Sequence, residues 1–188
     1  MDDKMNSAQS TKIHNLTFIG LLAALICVLA PISFPIPISP VPISMAFLAV
    51  YFCAIVGGMK RGTISVLVYI LLGGIGVPVF AGWTAGFQKL AGPTGGYLIG
   101  YLFVAAFTGY FADRFENRIP ICLLGMIAGT LICYLFGTVW LAVLMKVSFG
   151  KALFMGVIPY LPGDAVKIAL AVLSAFPLRK RLKSAEII

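Results

Sequence analysis

The sequence predicts an all-α integral membrane protein: one domain over residues 1–188, folded as a bundle of six transmembrane helices with both termini in the cytoplasm. Three observations lead there. First, 61% of the 188 residues are apolar and only 11% are charged, with a mean hydropathy of +1.04. Soluble domains run at about 45–50% and about 25%, so a globule of this composition lacks the polar groups to cover its surface. Second, the apolar residues gather into segments close to the roughly 20 residues that a bilayer requires. Third, the cations are distributed unevenly between those segments. With six spans, Lys4, Lys12, Lys60, Arg61, Arg114, Arg118, Arg179, Lys180, Arg181 and Lys183 fall on one side, against Lys89, Lys146 and Lys151 on the other. The positive-inside rule then puts the termini in the cytoplasm.

The segments follow in order. Residues 1–15, MDDKMNSAQSTKIHN, are polar and expected to be a frayed cytoplasmic start. Residues 16–33 form a retained first span, because a proline-rich stretch follows them and not a small-residue cleavage site. That stretch, PISFPIPISPVPIS, holds Pro31, Pro35, Pro37, Pro40 and Pro42 and no charge. Proline locks φ and lacks an N–H, so the segment is not ordinary helix. It is expected to lie partly extended at the outer surface, as a rigid spacer or as a cover over an outward-facing cavity. Further spans are expected at residues 43–58, 62–80, 95–112, 119–145 and 152–178, followed by a basic cytoplasmic tail over 179–188. The segment 119–145 is long enough to tilt. Small residues four apart at Gly20/Ala24, Gly96/Gly100 and Gly125/Gly129 allow close helix approach.

Several function classes are disfavoured. The net charge of +8 arises from clusters between apolar runs, which is topology signalling and not a nucleic-acid stripe. Cys27, Cys53, Cys122 and Cys133 lie within apolar segments, and His14 is the sole histidine, so neither a disulfide framework nor a metal site is indicated. No nucleophile–base set or carboxylate pair suggests catalysis. Asp113 and Glu116 alternate with Arg114 and Arg118 in what reads as a solvated cytoplasmic turn. GPTGG lacks the GxxxxGK[ST] pattern of a nucleotide loop.

Chemistry concentrates in two places. Residues 157–176, VIPYLPGDAVKIALAVLSAF, have the length of a span yet contain Asp164 and Lys167. Each ionic group costs about 2.5–3.5 kcal/mol at a helix centre. Their i,i+3 spacing puts them on one face, where they pair or share a third party. Pro159, Pro162 and Gly163 break the helix just before them, so Asp164 falls near a helix start, where free N–H groups favour an anion. The second place is the outer connection GVPVFAGWTAGFQKLAGPTGGYLIGY, with Trp83, Thr84, Gln88, Lys89 and Thr94 among glycines that let backbone approach a ligand. Trp83 alone also suits an interfacial anchor. Together the two features suggest a pocket open to the outer face, belonging to a solute-binding protein, to a self-sufficient small secondary transporter or channel with Asp164 as a proton site, or to a structural subunit.

That outer connection, with LPGDAVK, resembles the BioY family, the biotin-binding S components of energy-coupling factor (ECF) transporters, and the resemblance extends over essentially the whole chain. It implies a high-affinity biotin-binding subunit of a bacterial cytoplasmic membrane, with no catalysis and no cofactor beyond biotin as the transported ligand. It implies partners too: a transmembrane coupling subunit (T component), docked on small residues of the first helix such as Gly20 and Ala24, and two cytoplasmic ATPases. In such a site Asp164 and Lys167 would complement the ureido group. Phe80, Trp83 and Tyr97 would wall the bicyclic ring. Gln88, Lys89 and the backbone of Gly92, Pro93 and Thr94 would receive the valerate carboxylate. The reversed orientation, with Lys167 on the carboxylate, stays open.

Overall fold

A computed structural model describes residues 2–37, 39–115, 118–185 and 187, with side chains from residue 12 onward. Helix α1 runs Asp2–Leu29, so the polar start expected to fray continues the first span as helix. The proline-rich connection forms a hairpin, β1 (Ser33–Ile36) antiparallel to β2 (Ser39–Ser44), with Ser33 opposite Ser44. Proline is tolerated there because a two-stranded sheet consists only of edges. This hairpin and the isolated bridge between Phe80 and Thr84 depart from the all-helical expectation.

Helix α2, Ala46–Gly74, absorbs the second and third apolar segments and is not straight. At Gly58 the backbone takes φ 72° and ψ −174°, a region closed to side-chain-bearing residues. A Cβ on Gly62 would lie 2.8 Å from the Cα of Ala54, although eight residues of straight helix span about 12 Å. The arms 46–57 and 59–74 therefore fold back on each other. Both lean on the same stretch of α1: Cys53 Sγ donates to the Leu22 carbonyl (3.3 Å) and Ser65 Oγ to that of Ile19 (3.1 Å). The second arm stops at Gly74 and not near Phe80, where Gly76 (φ 114°) and Pro78 end helical geometry.

The chain continues through α3 (Phe87–Ala91), α4 (Gly95–Arg114), α5 (Ile119–Met145), α6 (Phe149–Gly156), a 3₁₀ turn (Ile158–Tyr160) and α7 (Leu161–Ser184). Much of the expected basic tail is thus the last turns of α7. Among the described residues five stretches are long and apolar enough to cross a membrane: α1, α2, α4, α5, and α6 with α7. Glycines knit α4 to α5, since Cβ atoms on Gly96 and Gly100 would lie 3.1 Å from the Cα of Gly137 and Cys133. Gly20 differs: nothing lies within 4 Å of where its Cβ would be, and it faces outward with Ala24.

The charged connections meet at one end. Asp113 Oδ2 accepts from the Met59 N–H (2.8 Å) and Oδ1 from Arg179 Nη2 (2.6 Å), while Arg179 Nη1 donates to the Ile55 carbonyl. Arg61 sits 5.5 Å from the Phe18 ring centroid. Asp113 stays partly solvated, its side chain 45% exposed, but it lies in the last turn of α4 and has a structural role as well: the reversal at Gly58 leaves the Met59 N–H outside the helix ladder, and Asp113 caps it. Glu116 lies outside the described residues. The hairpin, the 75–94 connection and the 146–160 connection form the opposite end, and the candidate site lies there.

Candidate functional site

The site begins with a broken helix. Helix α6 ends at Val157 (φ −130°), Pro159 falls in the 3₁₀ turn, and Pro162 occupies the first turn of α7, where its missing N–H costs nothing. Asp164 is thereby set in that first turn, facing the positive end of the helix dipole. It is 4% exposed and Lys167 7%. Lys167 Nζ lies 2.8 Å from Asp164 Oδ1, and the Tyr134 hydroxyl donates to Oδ2. The ammonium also stands 5.9 Å from the Phe47 ring centroid, within cation–π range. Both carboxylate oxygens are engaged, yet an ionised carboxylate accepts about four hydrogen bonds and an ammonium donates three. The pair keeps capacity for a further polar group.

Around it lie two adjoining hollows with about 350 and 430 Å³ of space free of protein atoms, the part open to solvent included. The first hollow holds Asp164, Lys167, Tyr134 and Phe47; the second holds Lys89, Thr84, Thr94, Tyr69 and Phe80. Val41, Pro42 and Ser44 of the hairpin and Tyr97 and Tyr101 of α4 border both. The hairpin is thus a wall of the cavity, which favours cover over spacer. It is tied to the broken helix by Tyr160, whose hydroxyl lies 2.7 Å from Ser39 Oγ and donates to the Val41 carbonyl. Tyr97 ties α4 to α6 by donating to the Gly156 carbonyl at 3.1 Å. Aromatic rings stack edge-on along the walls, Phe47 on Tyr101 (4.9 Å, 76°) and Tyr69 on Phe80 (5.6 Å, 86°).

Of the residues expected at the site, the structure brings Asp164, Lys167, Phe80, Lys89, Thr94 and Tyr97 to these walls. Trp83 stands apart. The Phe80–Thr84 bridge turns those two residues inward and projects Trp83 from its tip, 66% exposed with φ 58°. Gln88 is exposed, and Gly92 and Pro93 lie half-buried behind the wall. The Gly92 carbonyl is held by Trp140 Nε1 (2.9 Å), a brace for the loop. Sequence reasoning missed Tyr134, Tyr101, Tyr160, Phe47 and Tyr69. The available signals were spacing and chemistry: Tyr101 follows Tyr97 by four, Tyr160 precedes Asp164 by four, and Tyr134 brings a hydroxyl to mid-span. Among the described residues no three His, Cys, Asp or Glu cluster as metal ligands.

Comparison with known proteins gives one consistent match. The family model described as the BioY family matches residues 3–184. The biotin transporter BioY of Thermotoga maritima is 39% identical over 161 residues, which cover 86% of this chain and 93% of that protein. The biotin transporter BioY of Rhizobium etli is 37% identical over 171 residues, covering 85% and 90%. A crystal structure of the S-component for biotin from an ECF-type ABC transporter superposes with a TM-score of 0.82 at 29% identity, covering 91% of this chain and 93% of that one.

Proposed function

The chain belongs to the BioY family, and from that premise we propose that it is the biotin-binding membrane subunit of an ECF-type uptake transporter. It captures biotin in the cavity under the hairpin and docks on a coupling subunit served by two cytoplasmic ATPases. Counting the two arms of α2 separately gives six crossings of a bacterial cytoplasmic membrane. The end gathering Arg61, Arg114 and Arg179 then faces the cytoplasm, and the hairpin faces outward. The outward stripe of Gly20 and Ala24, flanked by exposed Leu16, Leu21 and Val28, is free for the coupling subunit.

The observation that carries this reading is the buried Asp164–Lys167–Tyr134 cluster at one end of a partly aromatic cavity, with Lys89 at the other end. The ureido group of biotin is neutral and presents both donors and an acceptor, which matches Asp164 and Lys167. A valerate carboxylate on Lys167 would instead lie about 5–6 Å from the Asp164 carboxylate. At an effective dielectric near 20 that repulsion is about 3 kcal/mol. Among the described residues that line the hollow around Lys89, Thr84 and Thr94 there is no acid. The ureido group therefore goes to the pair and the carboxylate to Lys89. Equilibrium binding of biotin, thiamine and riboflavin to the detergent-solubilised chain tests the assignment: biotin alone should bind tightly. Failure to bind biotin overturns it. Uptake that persists without ATPases and follows the proton gradient would favour the secondary-transporter alternative.

A further inference from the structure

On the face turned to the bilayer, α5 and α7 run antiparallel and barely touch. Ile119 lies opposite Phe176 and Lys180 at the basic end, and Leu131 lies opposite Ile168 further along. The gap between them contains hollows of about 980 and 690 Å³ of atom-free space, part of it open to the surroundings. We propose that this groove is a binding site for an anionic phospholipid, with one acyl chain laid along α5 and α7 and the phosphate held by Lys180 and Arg118.

Three observations select this occupant. The walls of the lower hollow are apolar, with Leu173 73% exposed and Phe176 behind it. Charge facing the lower hollow gathers at its basic end: exposed Lys180 lines the groove and exposed Arg118 immediately precedes Ile119, whereas Asp164, which borders the upper hollow, is already paired with Lys167. Arg179 reaches the same wall, but its guanidinium is turned inward to Asp113 and the Ile55 carbonyl, so its charge is already answered. Basic residues at the membrane surface between helices attract anionic headgroups. A transmembrane helix is a poorer fit. Close helix packing needs small side chains, and Ile119, Leu173 and Phe176 are large, whereas the small-residue stripe lies on α1. A free phosphate would gain nothing from the apolar walls.

Native mass spectrometry of the full detergent-extracted chain with synthetic phosphatidylglycerol or phosphatidylcholine tests the site. Each cation near the surface contributes roughly fivefold, so the pair should favour phosphatidylglycerol by roughly 25-fold. Arg118→Gln with Lys180→Gln should bring the two lipids to parity. Leu173→Trp, which fills the groove and leaves the cations in place, should lower retention of both; Val172→Trp serves if the first variant does not elute as a single species. Equal retention by the unaltered chain, or a preference that survives loss of both cations, overturns the site. So does lipid retention unmoved by the groove-filling variants, whether the lipid is then held by peripheral charge alone or the groove proves to take a protein partner recovered less well from those variants.

Discussion

Removing both members of the buried ion pair at once separates its part in folding from its part in ligand binding. Lys167→Met leaves Asp164 4% exposed with only the Tyr134 hydroxyl as partner. Breaking a buried pair on one side costs about 3–5 kcal/mol. Asp164→Asn is expected to cost less. The amide oxygen still accepts from Tyr134, and Lys167 retains the Phe47 ring 5.9 Å away, a contact worth up to about 2 kcal/mol when desolvated. The double variant holds no buried charge and should return to within about 1 kcal/mol of the parent. Binding should not return. Hydrogen bonds to charged groups contribute about 1.5–3 kcal/mol each, so losing two lowers biotin affinity by roughly 10²- to 10⁴-fold. Unfolding in detergent gives the stability cycle and calorimetric titration the affinity. A double variant that binds biotin like the parent would refute the reasoning and leave the pair with a folding role only.

Three further outcomes follow from the geometry. Gly58→Ala puts a side chain into a glycine-only backbone region and against the Asp113 carboxylate, so stability in detergent should fall by about 2–4 kcal/mol while biotin affinity per folded molecule is kept. Tyr160→Phe removes the hydroxyl that holds the hairpin at Ser39 and Val41; at about 1 kcal/mol for one hydrogen bond, stopped-flow release of biotin should quicken roughly fivefold, with little change in association rate. Gly20→Leu fills space in which nothing lies within 4 Å. Stability and biotin affinity should be unchanged, whereas recovery of the coupling subunit by affinity purification should fall at least tenfold.

What was legible in the sequence divides by the range of the interactions involved. Spans, charge sidedness and the broken last helix depend on local composition, on the bilayer's thickness and on proline's missing N–H, and these the sequence displays directly. The fold-back of α2 was also readable as two apolar segments around Lys60 and Arg61, because a reversal needs only Gly58 and a few neighbours. The site was half legible for the same reason. Asp164 and Lys167 declare themselves by the cost of burying charge, and Tyr97 by its neighbours. Tyr134 and Phe47 come from helices far away in sequence and look like ordinary span residues until α5 and α2 are placed beside α7. Trp83 shows where composition stops. Its chemistry suited a ring wall, but the Phe80–Thr84 bridge fixes an in–out alternation that composition does not reveal.

The orientation of biotin can be decided by pairing a change in the ligand with a change in the protein. Converting the valerate to its primary amide removes the ligand's charge and leaves the ureido ring intact. If Lys89 receives the carboxylate, the parent protein should bind the amide more weakly, by the roughly 1.5–3 kcal/mol of a charge-assisted contact, or about tenfold to a hundredfold. In Lys89→Met the two ligands should bind alike, because the difference resided in that contact, and the same ratio should persist in Lys167→Met. The reversed pose predicts the opposite pattern, with the ratio collapsing in Lys167→Met and surviving in Lys89→Met. Because each ratio is taken within one protein variant, any loss of stability or general affinity cancels. If both variants keep the full ratio, neither lysine receives the carboxylate, and the charge partition on which the site assignment depends is wrong.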